Sequence, residues 1–513
     1  MRAQWNILVS VASGLAMAAA FPDLGWWPLA FVSIGGLWWA LRDTGAWGGL
    51  GLGWLYGVAF FAPHVWWAYI ATGVVPWAAL SIAEGLAWGL LGAAWAHVRR
   101  SGMLGKGLFA GPFAFALLWA GFEQLRAWVP WDGFPWGRVA FAMADAPIAR
   151  LAWVGGVPLI GFAVALAGAY LGLAVERGVG RRPIQAATAP ILGIAVVLVG
   201  GLVPLDTRDT DGELNVAVIQ GNVPNEGLDS FSQAREVLNN HGDESMVAIE
   251  VADADGFDID LVIWPENAAD IDPRTDDESA EVVTSVAQAA GAPLLLGTVD
   301  YTTSDEGRYN TSLLWSQSGT VLDMYVKQRP VPFAEYIPMR SFARLFSEDV
   351  DRVSVDMLAG EDPAIMQVAI PSLERVLTLG TVICFEVAVD DVVREAIAEG
   401  GELLVVQTNN ATFGDTAEST QQLQMSRIKA IETGRYTIQD STVGVSAIIA
   451  PDGRVLQETE LFTAANMLAS VGLRSEITPA VRFGGWIAWA IFLGAAGLTV
   501  SAVSRRLKER YEW

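Results

Sequence analysis

Three side chains capable of covalent chemistry each sit at the end of an apolar run of the kind that forms a buried strand. Glu266 follows Leu261-Val-Ile-Trp-Pro265, Lys327 follows Val321-Leu-Asp-Met-Tyr-Val326, and Cys384 closes Arg375-Val-Leu-Thr-Leu-Gly-Thr-Val-Ile383. Cys384 is the only cysteine, so no intrachain disulfide can form. A lone cysteine is most simply a small buried hydrophobe. To act as a nucleophile near neutral pH it needs a partner, because a free thiol titrates at about 8.5. His241, the only histidine after residue 97, lies in a polar helical stretch, so a Cys–His pair is disfavoured and the base is a carboxylate or a lysine. The chain has four lysines against 28 arginines, and Lys327 is a compact, tunable ammonium kept where arginine is otherwise chosen. A carboxylate can take the thiol proton, and an ammonium can stabilise both the thiolate and the oxyanion formed by its attack. The backbone N–H of Phe385 is a candidate second oxyanion donor. This set suits acyl transfer or C–N cleavage through a thioester.

The elements that must position these groups alternate in type. Strands are predicted at 214–220, 261–264, 293–299, 312–315, 321–327, 376–384, 403–407 and 443–450, and helices at 231–252, 279–290, 389–399 and 420–433. Several strands are continuous apolar runs, as when both faces of a sheet are covered. The reading is a layered α/β domain over 206–480, of roughly 270 residues.

The rest of the chain has a different chemistry. Overall it is 52% hydrophobic with 22 tryptophans and a mean hydropathy of +0.36, yet its formal charge is −24. The charge is concentrated in 206–480, which holds roughly 47 acidic against 16 basic residues. That acidic surface excludes nucleic acid as a partner. Seven apolar stretches precede it, at about 4–21, 26–41, 48–70, 77–98, 107–125, 150–175 and 187–205, and one follows at about 484–504. Each approaches the roughly 20 residues a bilayer-spanning helix needs. Domains are therefore expected at 1–205 (seven membrane helices), 206–480 (the α/β domain) and 481–513 (a last span and a basic tail). The first stretch is read as an uncleaved span, not a signal peptide, because the next follows almost at once. Arg2, Arg42, Arg99, Arg100, Lys106, Arg177, Arg181, Arg182 and the tail from Arg505 fall in alternate loops. The positive-inside rule then puts those loops in the cytoplasm and the acidic domain outside it, with Arg126 and Arg138 as exceptions. Tryptophans in Trp128-Val-Pro-Trp131-Asp-Gly-Phe-Pro-Trp136 are read first as an interfacial belt, or else as a lipid-entry lip. Glycines at 49, 51 and 53 suggest close helix packing. Asp253–Asp260 has a calcium-loop spacing, but Trp264 stands where the bidentate glutamate belongs. No zinc spacing or Walker A loop is present, and no cofactor or metal is expected.

These residues resemble the nitrilase superfamily, and with the flanking spans the chain resembles the apolipoprotein N-acyltransferase family along essentially its whole length. The matching stretches are Gly133-Phe-Pro-Trp136, Gln220-Gly-Asn-Val-Pro224, Trp264-Pro-Glu266, Lys327, Val331-Pro-Phe-Ala-Glu335-Tyr-Ile-Pro338, Cys384-Phe-Glu386, Asn409-Asn-Ala-Thr-Phe-Gly414 and Arg427-Ile-Lys-Ala-Ile-Glu432-Thr-Gly-Arg435. The resemblance implies an αββα sandwich beside a membrane bundle of about eight spans. It implies Glu266 as general base, Lys327 as electrostatic stabiliser and Cys384 as nucleophile, with Glu335 orienting them and Glu386 and Phe385 supporting. Trp136, Tyr336 and Asn410 would line substrate or lipid entry. The implied reaction is ping-pong. Cys384 takes an acyl chain from a phospholipid, typically phosphatidylethanolamine, and passes it to the N-terminal amine of a diacylglyceryl-cysteine on an apolipoprotein. The implied location is the bacterial cytoplasmic membrane, with the catalytic domain on its outer face. Three departures stand out. Phe385 replaces the family's tyrosine, Asn409–Gly414 lacks its aspartate and tryptophan, and Asn225-Glu-Gly-Leu-Asp229 lacks an expected tryptophan. The competing expectations are a membrane-anchored amidase, in which water resolves the thioester, and a non-catalytic lipid- or lipoprotein-binding protein.

Overall fold

The computed structural model describes residues 2–105, 107–223, 233–302 and 307–511. Lys106, the Asn225–Asp229 stretch and the start of the helix expected from Phe231 lie outside the described residues. The chain divides into two compact units, Met1–Pro204 with Arg482–Trp513, and Leu205–Val481.

The first unit is helical: α1 (Arg2–Ala18), α2 (Pro28–Leu41), α3 (Ala46–His64), α4 (Trp66–Thr72), α5 (Val74–Arg100), α6 (Ala110–Arg126), α7 (Ala152–Val179), α8 (Pro183–Gly201) and, at the far end of the chain, α14 (Pro479–Tyr511). Each of the eight apolar stretches overlaps one of these helices. Among the described residues, four helical segments are long and apolar enough to cross a bilayer: Val74–Arg100, Pro147–Val179, Pro183–Gly201 and Pro479–Lys508. Ala3–Ala18 and Pro28–Leu41 are shorter apolar helices. Proline opens α2 and α8, where its missing N–H costs nothing. Gly49 and Gly53 of α3 lie against the backbone of α5, and a Cβ at either would strike Gly92 or Trp88. Gly51 faces open space, so only two of that glycine triplet serve packing. Tryptophan is used inside this unit as well as at its surface. Trp88 packs tilted against Trp119 (4.2 Å) and Trp38 against Trp95 (4.8 Å), filling the interior with large flat rings.

The second unit contains, in order, β1 (Glu213–Gln220), α9 (Ala234–Asp255), β2 (Leu261–Ile263), α10 (Asp277–Ala290), β3 (Leu294–Tyr301), β4 (Arg308–Trp315), β5 (Val321–Val326), α11 (Arg340–Ala343), β6 (Ile365–Ile370), β7 (Arg375–Ile383), α12 (Asp390–Ala398), β8 (Leu403–Thr408), α13 (Glu418–Thr433), β9 (Thr437–Ser441), β10 (Ala447–Ile449), β11 (Val455–Glu458) and β12 (Ala465–Gly472). They form two six-stranded sheets of order β12-β1-β2-β3-β4-β5 and β11-β10-β9-β8-β7-β6. Each sheet has three parallel central strands with antiparallel strands on both sides. All of the parallel strands except β9 (Thr437–Ser441) are apolar runs of the sequence, covered on both faces. On the outer face of the first sheet, Ala217, Ile219, Trp264, Leu294, Leu296 and Leu313 pack with Leu238 of α9 and Val283 of α10 into one core. Toward the C-terminal ends of the parallel strands the contact between sheets turns polar. Ser312 bonds Gln407, Gln407 donates to the carbonyl of Trp264 (2.6 Å), and Ser446 donates to Gln220 (2.7 Å).

Candidate active site

Glu266, Lys327 and Cys384 all leave their strands at this polar end, where open α/β sheets present their functional groups. Glu266 is carried by the Trp264-Pro265 turn after β2. Gly297 of β3 lies against that turn's backbone, and a Cβ there would collide with Pro265 and Glu266. Lys327 directly follows β5, its N–H donating to the carbonyl of Asn310 (2.9 Å). Cys384 follows β7 at a φ of 52°, a left-handed conformation rare for a residue with a Cβ, and opens the single 3₁₀ turn Cys384–Ala388. The first sheet thus brings the carboxylate and the ammonium, and the second brings the sulfur.

The three meet. The Cys384 thiol faces the Glu266 carboxylate, whose charge acts on it most strongly, with the Lys327 ammonium next. Glu266 Oε1 accepts from Asn310 Nδ2 (2.6 Å) and from Lys327 Nζ (3.5 Å). Glu335 completes the group: its Oε1 takes a 2.8 Å bond from Lys327 and its Oε2 a 2.6 Å bond from the Val331 N–H. Asn310 bridges the two carboxylates, lying 3.3 Å from Glu335. Lys327 is 1% exposed and Glu266 5%, so these charges interact in a poorly screened interior.

Two carboxylates and one ammonium leave the cluster one negative charge in excess, and a buried excess negative charge opposes adding a second by ionising the thiol. Burial, with Glu335 adding, raises the Glu266 carboxyl above the usual carboxylate range, while Lys327 pulls the other way. Burial alone would lower Lys327, but Glu335 and Glu266 together hold it above the usual lysine range, fully charged. Burial and the charge of Glu266 push the Cys384 thiol up. At rest the sulfur is therefore protonated, with a carboxylate of raised basicity beside it. An attack by that sulfur requires only one short proton transfer.

The remaining expected residues are placed as follows. Glu386 is fully buried and accepts four hydrogen bonds, from Tyr325 Oη (2.9 Å) and the N–H groups of Gln328 (2.7 Å), Arg329 (3.1 Å) and Ile383 (2.8 Å). It ties the chain after Lys327 to the strand bearing Cys384. Phe385 is buried. Tyr336 is half-buried, its carbonyl closing the turn that holds Glu335 by accepting from the Phe333 N–H (2.7 Å). Two of the expected entry residues are not at a surface. Trp136 is 2% exposed in the first unit, edge-on to Trp67 at 5.6 Å, with its carbonyl bonded to Arg126. The exposed ring of that loop is Trp131, at 40%. Asn410 is buried too, donating to Glu418 (2.6 Å) and Gln422 (2.9 Å) and accepting from Ser441 (2.6 Å). His241 is buried on α9, bonded to Val237 (2.7 Å) and packed on Trp264, and burial lowers it to about 4.

Four residues around the cluster escape the sequence reading: Asn310, Thr408, Glu418 and Gln422. Asn310 had a signal, since asparagine is depleted in strands and needs a reason to sit inside β4. Glu418 and Gln422 lie four apart on one face of α13, which turns its polar side inward.

Residues 13–170 match the family described as apolipoprotein N-acyltransferase N-terminal domain, and residues 215–475 match carbon-nitrogen hydrolase. An apolipoprotein N-acyltransferase of Mycolicibacterium smegmatis is 34% identical over 96% of this chain and 84% of its own length. One from Azotobacter vinelandii is 30% identical over 98% of this chain and 96% of its own. An amidase from Nesterenkonia sp. is similar in structure over 53% of this chain and 94% of its own, at 19% identity and a TM-score of 0.37. With both halves matched in order and relatives aligned nearly end to end, the chain belongs to the apolipoprotein N-acyltransferase family, its second unit being a carbon-nitrogen hydrolase domain.

Proposed function

We propose that the protein transfers an acyl chain from a phospholipid to the N-terminal amine of a diacylated lipoprotein by a ping-pong reaction at Cys384. In the first half, Glu266 takes the thiol proton and the sulfur attacks the ester carbonyl. Lys327 and the Phe385 N–H receive the charge on the carbonyl oxygen. The S–C bond forms, the ester C–O bond breaks, and Glu266 returns the proton to the departing glycerol oxygen, releasing a lysophospholipid. In the second half, the lipoprotein's α-amine attacks the thioester. Glu266 takes the amine's proton, the C–S bond breaks, and the proton returns to sulfur. Glu335 holds Lys327 between the two carboxylates. In this reading 206–480 is the catalytic domain on the outer face of the bacterial cytoplasmic membrane, as the loop arginines argue, and 1–205 and 481–513 supply about eight spans.

The observation that carries this reading is the convergence of a carboxylate from β2, an ammonium from β5 and the single sulfur from β7. The test supplies the full-length protein with phosphatidylethanolamine vesicles and a synthetic diacylated lipopeptide. The expected products are a lysophospholipid, a transient acyl mass on Cys384, and a lipopeptide carrying a third chain. Free fatty acid with an unmodified lipopeptide would mean that water resolves the thioester, as in an amidase. Neither product, with both substrates bound, would mean a binding protein.

A further inference from the structure

We propose that Gln422 is a further catalytic residue, whose side-chain N–H holds the charge on the Cys384 sulfur through a hydrogen bond of fixed direction. This rests on the reading of Cys384 as the nucleophile.

Gln422 Nε2 lies 3.6 Å from Cys384 Sγ, within reach of an N–H···S bond. An amide can present either nitrogen or oxygen, so its orientation must be argued from its other partners. Gln422 Oε1 accepts from Thr408 Oγ1 (2.8 Å) and from Asn410 Nδ2 (2.9 Å). Asn410 is itself oriented: its Oδ1 accepts from Ser441 Oγ (2.6 Å), and its NH₂ donates to Glu418 (2.6 Å) as well as to Gln422. Ser441 Oγ in turn accepts from the Gly444 backbone N–H (2.8 Å), which can only donate. The chain from Gly444 through Ser441, Asn410 and Gln422 therefore runs one way and ends with a donor on sulfur. Turning the Asn410 amide over would set its NH₂ against Ser441 Oγ, which already accepts from Gly444, and leave the Ser441 proton without its acceptor; turning Gln422 over would confront the Asn410 donor with its own. Gly444 is packed so tightly against Asn410 and Ser419 that a Cβ there would collide with both. All four side chains from Thr408 to Ser441 are at most 3% exposed.

The choice of a neutral donor has a chemical reason. The titratable groups facing the sulfur are Glu266 after β2, Lys327 after β5 and Glu418 on α13, whose carboxyl burial raises to about 8. A second cation there would balance the excess negative charge and weaken Glu266 as a proton acceptor. An amide N–H stabilises S⁻ without supplying a whole charge. It bonds the thiolate better than a neutral thioester sulfur, so it favours the sulfur when it attacks and when it leaves.

Because Cys384 is the only cysteine, alkylation by iodoacetamide, read as intact mass from pH 7 to 11, titrates this one sulfur in the full-length protein. Gln422→Met, which keeps the bulk and lacks the donor, should move the midpoint up by about one pH unit. Near the wild-type midpoint its alkylation should slow by up to about tenfold. A role in packing alone would lower the melting temperature and leave the midpoint in place. A wild-type midpoint in Gln422→Met overturns the proposal. If that variant does not fold, Ser441→Ala decides: it is remote from the sulfur, should give a smaller shift in the same direction, and overturns the proposal if it gives none. The acyl adduct formed by wild-type protein on phosphatidylethanolamine vesicles is scored separately. Its absence together with a shifted Gln422→Met midpoint would retire the acyl-enzyme while keeping the amide's hold on the sulfur.

Discussion

The second unit has two lysines, and they occupy sites that look alike at first. Each is at most 1% exposed and each lies between two carboxylates. Lys327 bonds Glu335 and Glu266, whereas Lys429 bonds Asp390 (2.6 Å) and Glu432 (2.8 Å), tying α12 to α13. The difference is one charge. Arg394 stands 3.6 Å from Glu432 and 3.9 Å from Asp390, so the Lys429 cluster has two cations for two anions. The Lys327 cluster has one cation for two anions and, in place of a second cation, a thiol. A balanced buried cluster has no reason to hold or release a proton. An excess of negative charge holds the proton on the neighbouring thiol and raises the basicity of the carboxylate beside it. Burial of charge is common to both regions, and the imbalance is what marks the reactive one.

The comparison can be broken by substitution. Cys384→Ala should abolish transfer and every acyl adduct in a protein that still folds, measured by mass spectrometry of enzyme and lipopeptide. Lys327→Met should cut transfer about a hundred- to a thousandfold, because the oxyanion loses its charged partner. Lys429→Met should leave turnover per folded molecule within about twofold. Its cost should appear as lost stability, about 3–5 kcal/mol by denaturant titration, since it strands two buried carboxylates. Equal losses of turnover in the two lysine variants would erase the distinction.

Glu418 sharpens the count from the other side. Burial, with the charge of Glu266 adding, pushes this carboxyl from its ordinary 4.5 up to about 8. The folded state binds its proton more tightly than the unfolded chain does. Its contribution to stability is thus complete below about pH 4.5 and declines as pH rises toward about 8. Glu418→Gln should flatten the stability profile across that window by at most a few kcal/mol, read from denaturation midpoints at several pH values. Smallest of all should be Arg394→Gln. It gives the Lys429 cluster the same charge deficit as its counterpart, for a loss of about 1 kcal/mol, because this guanidinium is partly solvated and its contacts are long.

How much of this was legible follows from where the chain is apolar. The parallel strands β1, β2, β3, β7 and β8 are dense in valine, leucine and isoleucine, so the strand ends carrying Glu266 and Cys384 could be read directly. The strands β6, β9, β11 and β12 were not found. Thr437-Ile-Gln-Asp-Ser441 is wholly buried yet mostly polar, because its side chains bond across the gap between sheets instead of filling an oil-like core. The strand expected at 443–450 shrinks to Ala447–Ile449, because Thr442–Ser446 bends to supply the bonds behind Gln422. For the same reason α13 was found as a helix while its function was missed. Nearly all of it is buried, but glutamate, glutamine and serine face inward, which reverses the usual reading of a polar face. Glu335 entered only through family resemblance, since a glutamate in a loop gives no sign that it will bend back onto a lysine eight residues earlier.

The division of the reactive groups between two sheets has a consequence for the newly made chain. Until the halves dock, Cys384 has neither the Glu266 carboxylate nor the Lys327 ammonium beside it, and it is an ordinary thiol. On the mechanism proposed above, a nascent polypeptide threading past lipid and chaperones carries no sulfur equipped to take an acyl chain, and that capacity arrives only with completed tertiary structure.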